Sequence, residues 1–135
     1  MGAMTANVFG DDASMDWLER YRASGASAVA SALDTAAATP VTDYLDADAG
    51  GAARAAAEVV AVAQGAFPAG LSQDQLDQLN AHGSDVREMK DITTRATSAL
   101  DRLISENSEL HEMWMDSDSQ SDWVAAMNDL RGRLG

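Results

Sequence analysis

The sequence predicts an all-α fold: a compact single-domain helical bundle of about five to seven helices, some of them short. Three observations predict this class. Apolar residues recur at intervals of three and four, the spacing of one helix face, and no stretch shows the alternation of a half-buried strand. Alanine, which has the highest intrinsic helix propensity, occurs 27 times in 135 residues. This length is typical of one domain, so residues 1–135 are predicted to fold as a unit.

The composition lies near that of disordered proteins, yet a folded chain is favoured. Leu, Ile, Val and Phe together number only 23, and the net charge is −13. However, three Trp and seven Met add core material, only two Pro interrupt the chain, and the apolar residues are periodic. We therefore expect a thin core, and a homodimer is one way for such a chain to bury more apolar surface.

The segment FGDDASMDWLERYRASG predicts the first helix. Asp11 or Asp12 is placed to cap it, because a carboxylate at a helix start accepts hydrogen bonds from free N–H groups and meets the positive end of the helix dipole. Ser24-Gly25 ends the helix. The inward face is predicted to hold Met15, Leu18 and Tyr21 or Arg22.

Two Ala-rich helices follow. The second covers about residues 26–38 and is stopped by Pro40. The third is the segment AARAAAEVVAVAQG, which begins at Ala52 and ends at Gly65. Its small side chains let a neighbouring helix approach closely, and Gly50-Gly51 before it predict a flexible entry to the helix.

A capping box predicts a fourth, short helix, because Ser72 is followed three residues later by Gln75, and this helix ends at Asn80. The strongest periodic pattern comes next. It predicts one helix that packs in a bundle through a stripe of six residues: Val86, Met89, Thr93, Ala96, Leu100 and Leu103.

Two helices complete the predicted bundle. The shorter one covers residues 109–115, where His111 and Glu112 are predicted to be solvated. Its core-facing residues are predicted to be Leu110, Met113 and Trp114. The terminal helix is predicted to bury one face, formed by Trp123, Met127, Leu130 and Leu134. With Trp17, all three Trp are expected in the core.

Two metal-binding motifs begin in ELHEMWMDSDSQSDW, and neither is complete. HEMWM has Met115 where a zinc-peptidase helix needs its second His. DSDSQSDWVAAM has Ser121 where a calcium loop needs Gly, and Met127 where it needs a bidentate Glu. The metal-ligand candidates that remain are Asp116, Asp118 and Asp122. We predict no metal here, and we expect a polar loop with Ser119 and Asp122 spaced as a cap for the last helix.

No catalytic or cofactor-binding residue is predicted. The sequence has no Gly-x-Ser-x-Gly, P-loop or Gly-x-Gly-x-x-Gly motif, and it has no cysteine. Three carboxylates of DYLDAD are predicted to be solvated loop residues: Asp43, Asp46 and Asp48. The alternative is that these loop carboxylates, with His82 or His111, ligate a cation.

Acidic residues outnumber basic ones by 22 to nine, without an acidic tail or a basic arm. This charge repels phosphates, so nucleic-acid binding is not expected. It suits a basic protein partner, or it serves solubility alone. The longest apolar run is too short for a bilayer and the first residues do not resemble a signal peptide, so we expect no membrane association and a cytoplasmic location.

Four segments together resemble one known family. MGAMTANVFGDDASMDWL has its opening Met-Gly, its Phe, its acidic pair and its Trp-Leu helix, although Met4, Thr5 and Asn7 replace the family's Trp and glycines. The second segment, YLDADAGGAARAAAEVVAVAQG, contains the family's Ala-rich AAAE helix. The third, ALDRLISENSELHEMW, contains its Ser-Glu-Leu…Trp motif. The fourth, WVAAMNDLRGRL, has its closing Trp-x(6)-Leu-Arg-x-Arg-Leu pattern. The chain thereby resembles the bacterial domain-of-unknown-function 4259 family. This resemblance implies no activity, substrate or catalytic residue.

For function, we expect a small acidic interaction protein without catalytic activity. A binder of a basic partner, of the antitoxin or immunity type, is one concrete version. The alternative is a metal-binding domain or a metal-dependent enzyme that uses loop carboxylates. A third reading is a protein whose acidity serves only solubility.

Overall fold

The computed structural model describes residues 7–135. This part of the chain contains eight α-helices joined by loops. They are α1 (Asp12–Ser24), α2 (Ala26–Ala38), α3 (Ala47–Ala63), α4 (Gln73–Leu79), α5 (Gly83–Arg87), α6 (Ile92–Leu103), α7 (Glu109–Met115) and α8 (Gln120–Arg133). Within this range there is no strand, although Leu45 and Ser108 form one isolated β-bridge. The all-α class is confirmed, with one helix more than the five to seven predicted.

The additional helix arises because the predicted stripe helix is divided in two. Asp91 has a φ of 55°, in the left-handed region, and separates α5 from α6. Val86 of α5 and Leu100 of α6 are both fully buried. Met89 and Thr93, on either side of the break, are only partly buried. The stripe therefore lies in the core as predicted, but on two helices rather than one.

The central helix is α3, which contacts each of the other seven. It begins at Ala47 rather than at the predicted Ala52, because Asp46 caps it by accepting a hydrogen bond from the Ala49 N–H at 2.8 Å. The prediction of a flexible entry at Gly50-Gly51 is therefore wrong. Both glycines lie inside the helix, and a Cβ on Gly51 would stand 2.9 Å from the carbonyl carbon of Ala13 in α1. Glycine is needed there for the close approach of α1.

Two of the three predicted caps are confirmed. Asp11 caps α1 by accepting a hydrogen bond from the Ser14 N–H at 2.8 Å, and Ser72 and Gln75 form the capping box of α4. The predicted cap of α8 is wrong, since Ser119 makes no capping hydrogen bond through its side chain. Its φ and ψ of −96° and 20° are not the extended values from which a serine hydroxyl reaches the free N–H groups.

The aromatic part of the core agrees with the prediction. Trp114 and Trp123 are buried and stacked at a centroid distance of 5.3 Å, and Trp17 is 4% exposed. Two predicted core residues are on the surface instead, since Met15 is 45% exposed and Met113 is 57% exposed. In α7 the buried residues are those at positions 110 and 114, and Met113 lies one residue, or 100°, away from Trp114 around the helix.

Candidate functional site

The three metal candidates lie around the loop between α7 and α8. Asp116 is the C-cap of α7, Asp118 lies in the loop, and Asp122 lies in the first turn of α8. All three are exposed. Nowhere in residues 7–135 do three or more His, Asp or Glu side chains come together in a group that could hold a metal ion. The three carboxylates therefore belong to the exposed surface around the α7–α8 loop.

The carboxylates of the α2–α3 loop are also exposed, and they lie at the start of the central helix. Asp46 is the N-cap of α3 and Asp48 lies in its first turn, where negative charge stabilises the positive end of the helix. The backbone carbonyl of Asp43 accepts a hydrogen bond from Arg102 at 2.8 Å. These contacts assign this loop a structural role.

Both histidine rings make hydrogen bonds within the fold. The Nε1–H of Trp123 donates to Nδ1 of His111 at 2.9 Å, so the prediction that His111 is solvated is wrong. The ring is half-buried because the buried indole N–H needs an acceptor. Burial lowers the pKa of His111 below its ordinary value, against the opposing charge of Glu112. Nε2 of His82 lies 3.1 Å from the carbonyl oxygen of Arg22.

An arginine lies in the middle of the core. Arg54 of α3 is 1% exposed and donates a hydrogen bond to Oδ2 of Asp11 at 2.8 Å. Its guanidinium carbon lies 5.5 Å from the centre of the Trp123 ring, within cation–π distance. Burial lowers the pKa of Arg54, and the charges of Asp11 and Glu58 oppose this effect. Asp11 thus serves both as the cap of α1 and as the counter-ion of a buried charge.

One turn further along α3, a second charge is neutralised in the same way. Glu58 is 5% exposed and forms a two-point ion pair with Arg133 of α8, at 2.5 Å and 3.1 Å. Arg133 also pairs with Asp129 at 2.8 Å and donates to the carbonyl oxygen of Ala66. Burial alone would lower the pKa of Arg133, but Glu58 and Asp129 raise it above its ordinary value. The pair holds the end of α8 against α3.

A third buried arginine, Arg102 of α6, binds backbone carbonyls. Its guanidinium donates at 2.7 to 3.3 Å to five carbonyl oxygens, those of Thr39, Pro40, Asp43, Glu106 and Asn107. It also donates to Oγ of Ser105 at 3.2 Å. Because its donors are all directed into these segments, Arg102 ties the α2–α3 loop to the turn between α6 and α7.

These internal roles leave a strongly acidic surface. Nineteen of the 22 acidic side chains are exposed, but only five of the nine basic ones are. Arg54, Arg102 and Arg133 are turned inward, so the exposed surface has about four acids for each base. No helix within residues 7–135 is long and apolar enough to cross a membrane.

A groove of about 350 Å³ lies between α1, α2 and the start of α3. Its lining consists of alanines and a few larger side chains: Trp17, Arg20, Ala28, Ser31, Ala32, Thr35, Asp46, Asp48, Ala49 and Ala52. A hydroxyl becomes a nucleophile when a neighbouring base, most often a histidine, takes its proton, and no histidine is among these residues. The lining of this groove therefore holds no hydroxyl that is paired with a histidine.

A family model described as domain of unknown function DUF4259 matches residues 2–126. The chain belongs to the DUF4259 family. Comparisons with curated proteins and with solved structures gave no significant match. The resemblance to this family is therefore confirmed over residues 2–126, and the function has to be argued from the structure.

The residues that carry the DUF4259 pattern contact one another in the fold. Asp11 of the acidic pair binds Arg54, and Glu58 of the AAAE helix binds Arg133, which lies beyond the matched residues 2–126. The Ser-Glu-Leu segment contributes Glu109, whose Oε1 accepts a hydrogen bond from the Ala47 N–H at 2.7 Å. The opening residues 1–6 lie outside the described part of the chain. These pattern residues thus join helices of the DUF4259 core.

Sequence reasoning did not identify the buried charges of α3. A pattern that could have found them is present, because Arg54 and Glu58 stand four residues apart in a segment that is otherwise apolar on every side. A helix that is apolar all round is buried, and charges within it require partners from other helices. The identity of these partners, Asp11 and Arg133, depends on the tertiary fold.

Proposed function

We propose that this DUF4259 chain is a non-catalytic protein–protein interaction module that binds a basic protein partner through its acidic surface. The observation that supports the proposal is the charge distribution, with nineteen exposed acids against five exposed bases. An antitoxin-like or immunity-like binder is the concrete form we favour.

The state of the buried ionisable groups also supports a non-catalytic role. Asp11 and Arg54 neutralise each other, as do Glu58 and Arg133, and each pair joins helices that are distant in sequence. A catalytic acid or base has to exchange protons with a substrate, whereas these groups are engaged with one another. The exposed carboxylates remain as the groups available to a partner.

The physical consequence of such a surface is electrostatic steering. Complementary charge speeds the encounter of two proteins and disfavours partners of like charge. Nucleic acid is not the partner in this proposal, because its phosphates are repelled. We further propose a bacterial cytoplasmic setting, since the excess of Ala and of Arg over Lys suits a GC-rich genome.

The test starts with the tagged full-length chain, purified from its own host at low salt, with metal analysis of the same sample. We expect a basic protein to co-purify, and its affinity for the chain to weaken at least about tenfold between about 50 and 500 mM NaCl. Salt-insensitive binding would count against the proposal. Stoichiometric metal would favour the metal-binding alternative instead.

A further inference from the structure

Three exposed apolar side chains lie on two segments that contact each other, the α2–α3 loop and α7. Val41 is 43% exposed, Tyr44 is 54% exposed and Met113 is 57% exposed. They are half of the six large apolar side chains that are exposed in residues 7–135. We call these three residues the Tyr44 patch.

Backbone contacts bring the two segments together. The Leu45 N–H donates to the carbonyl oxygen of Asn107 at 2.8 Å, and the Glu109 N–H donates to the carbonyl oxygen of Leu45 at 2.9 Å. The side-chain amide of Asn107 donates to the carbonyl oxygen of Val41 at 2.6 Å. The patch is therefore built on a fixed backbone, although the segments are far apart in sequence.

A hydrogen bond to α7 positions Tyr44, the central side chain of the patch. The hydroxyl of Tyr44 donates to Oε1 of Glu112 at 2.8 Å. Met113 follows Glu112 and lies about 40° from Glu109 around the helix, because residues four apart share one face. Glu112 lies on the outward face of α7, opposite to the buried residues at positions 110 and 114, and Met113 lies at the edge between the two faces.

The two segments that carry the patch have charge of a single sign. Residues 40–46 and 106–116 contain no Lys or Arg, and they contain six acidic side chains: Asp43, Asp46, Glu106, Glu109, Glu112 and Asp116. Arg102, the cation beneath this surface, is 7% exposed and directed to backbone carbonyls. A second copy of the chain would bring six more acids to the same place, so self-association through this patch is disfavoured.

We propose that the Tyr44 patch is the docking surface for the basic partner, and that it receives an arginine flanked by aliphatic side chains. A guanidinium stacks on the exposed face of Tyr44 while it pairs with the carboxylate of Glu112. Val41 and Met113 provide the apolar contact for the aliphatic neighbours of that arginine. This inference rests on the proposed function, since it names the place and the chemistry of the same interaction.

The tyrosine–carboxylate pair is suited to this role. The hydrogen bond to Glu112 raises the pKa of Tyr44 to about 12, so its hydroxyl stays protonated at neutral pH. The hydroxyl donates to one oxygen of Glu112, and within residues 7–135 the other oxygen accepts no hydrogen bond. The receptor for a cation is thus arranged before the partner arrives, which lowers the entropic cost of binding.

The experiment uses the full-length chain and a synthetic amphipathic helical peptide of Leu and Arg, with a matched peptide of Leu and Lys. Calorimetric titration measures the dissociation constant. We expect Tyr44→Ala and Glu112→Gln each to weaken binding of the Arg peptide at least about tenfold. We expect the Lys peptide to bind more weakly than the Arg peptide to the wild-type chain.

Two exposed residues elsewhere give matched controls. Phe67 is 55% exposed, close to the value for Tyr44, and Glu88 is an exposed carboxylate at the end of α5. Phe67→Ala and Glu88→Gln are expected to change the dissociation constant less than about twofold. Thermal melts of all four variants verify that each is folded.

Three results would overturn the assignment of the patch: no binding of the Arg peptide to the wild-type chain, equal losses in the Tyr44 and Phe67 variants, or equal losses in the Glu112 and Glu88 variants. A salt-sensitive basic partner that binds the Tyr44→Ala variant with unchanged affinity would leave the proposed function standing and place its surface elsewhere. Absence of any salt-sensitive protein partner, despite patch-dependent peptide binding, would reject the proposed function separately.

Discussion

Breaking the ion pair between Glu58 and Arg133 by removing one partner is expected to destabilise the fold strongly. Substitution Glu58→Gln removes the buried negative charge of α3 and leaves Arg133, which is 14% exposed, without its two-point partner. Removing one member of a buried ion pair costs about 3–5 kcal/mol because the other charge stays in a poorly solvated place. Arg133 keeps Asp129 and the carbonyl of Ala66, so we expect the lower end, about 3 kcal/mol.

That loss corresponds to a measurable shift in melting temperature. Proteins have an unfolding entropy of about 2 cal/mol/K per residue, so a chain of 135 residues is expected to melt about 10 °C lower. The matched control is Asp129→Asn, which removes the 59% exposed partner of the same arginine. An exposed ion pair contributes less than about 1 kcal/mol, so this variant should melt within about 3 °C of the wild type.

The assay is urea unfolding followed by Trp fluorescence, on Glu58→Gln, Arg133→Met and the double variant. Replacing both members by neutral groups removes the unpaired charge, so the double variant should be more stable than the sum of the single losses predicts, by about 2 kcal/mol. Additive losses, or a Glu58→Gln variant as stable as Asp129→Asn, would refute the reasoning.

Three further predictions concern packing and pH. Gly51→Ala should destabilise the chain by about 2 kcal/mol, because the added Cβ meets the backbone of α1. Gly132→Ala, which has open space around it, should stabilise the chain by about 0.5 kcal/mol. Equal urea midpoints for the two variants would contradict this packing. Burial lowers the pKa of His111 below 6.5, so the unfolded chain binds the proton first and stability should fall as the pH drops below about 6.5. His111→Asn, which keeps an acceptor for Trp123, should lose less stability between about pH 7.5 and 5.5 than the wild type does, and parallel pH profiles would count against the assignment. Leu100→Asp places an unpaired charge at a fully buried position and should cost at least about 3 kcal/mol, so an unchanged melting temperature would show that α6 is packed differently.

The helices whose ends are marked by local sequence were predictable. The bounds of α2, residues 26–38, agree with the prediction because Gly25 precedes this helix and Pro40 follows it closely. The capping box at Ser72 and Gln75 likewise depends only on residues within one turn. These elements need no knowledge of the tertiary fold.

Elements that depend on distant contacts were not predictable in the same way. Gly50-Gly51 weakens helix propensity, yet α3 runs through both, because the glycines permit α1 to pack closely. The break at Asp91 has no proline or glycine to mark it. An aspartate tolerates the left-handed conformation, so the residue type permits the break without predicting it.

The Tyr44 patch was also not predictable from the sequence. Met113 was expected in the core, and its exposure follows from the direction in which α7 presents Leu110 and Trp114 to the interior. Tyr44 meets Glu112 only because the Leu45–Ser108 bridge joins two segments more than 60 residues apart. The acidity of the chain could be read from its composition, whereas the site where it accompanies apolar side chains required the fold.

The measurement that tests the central claim most directly is the salt dependence of the dissociation constant between the chain and the protein that co-purifies with it. The account predicts a basic partner whose dissociation constant rises at least about tenfold between about 50 and 500 mM NaCl. A dissociation constant that is unchanged over this range would contradict it.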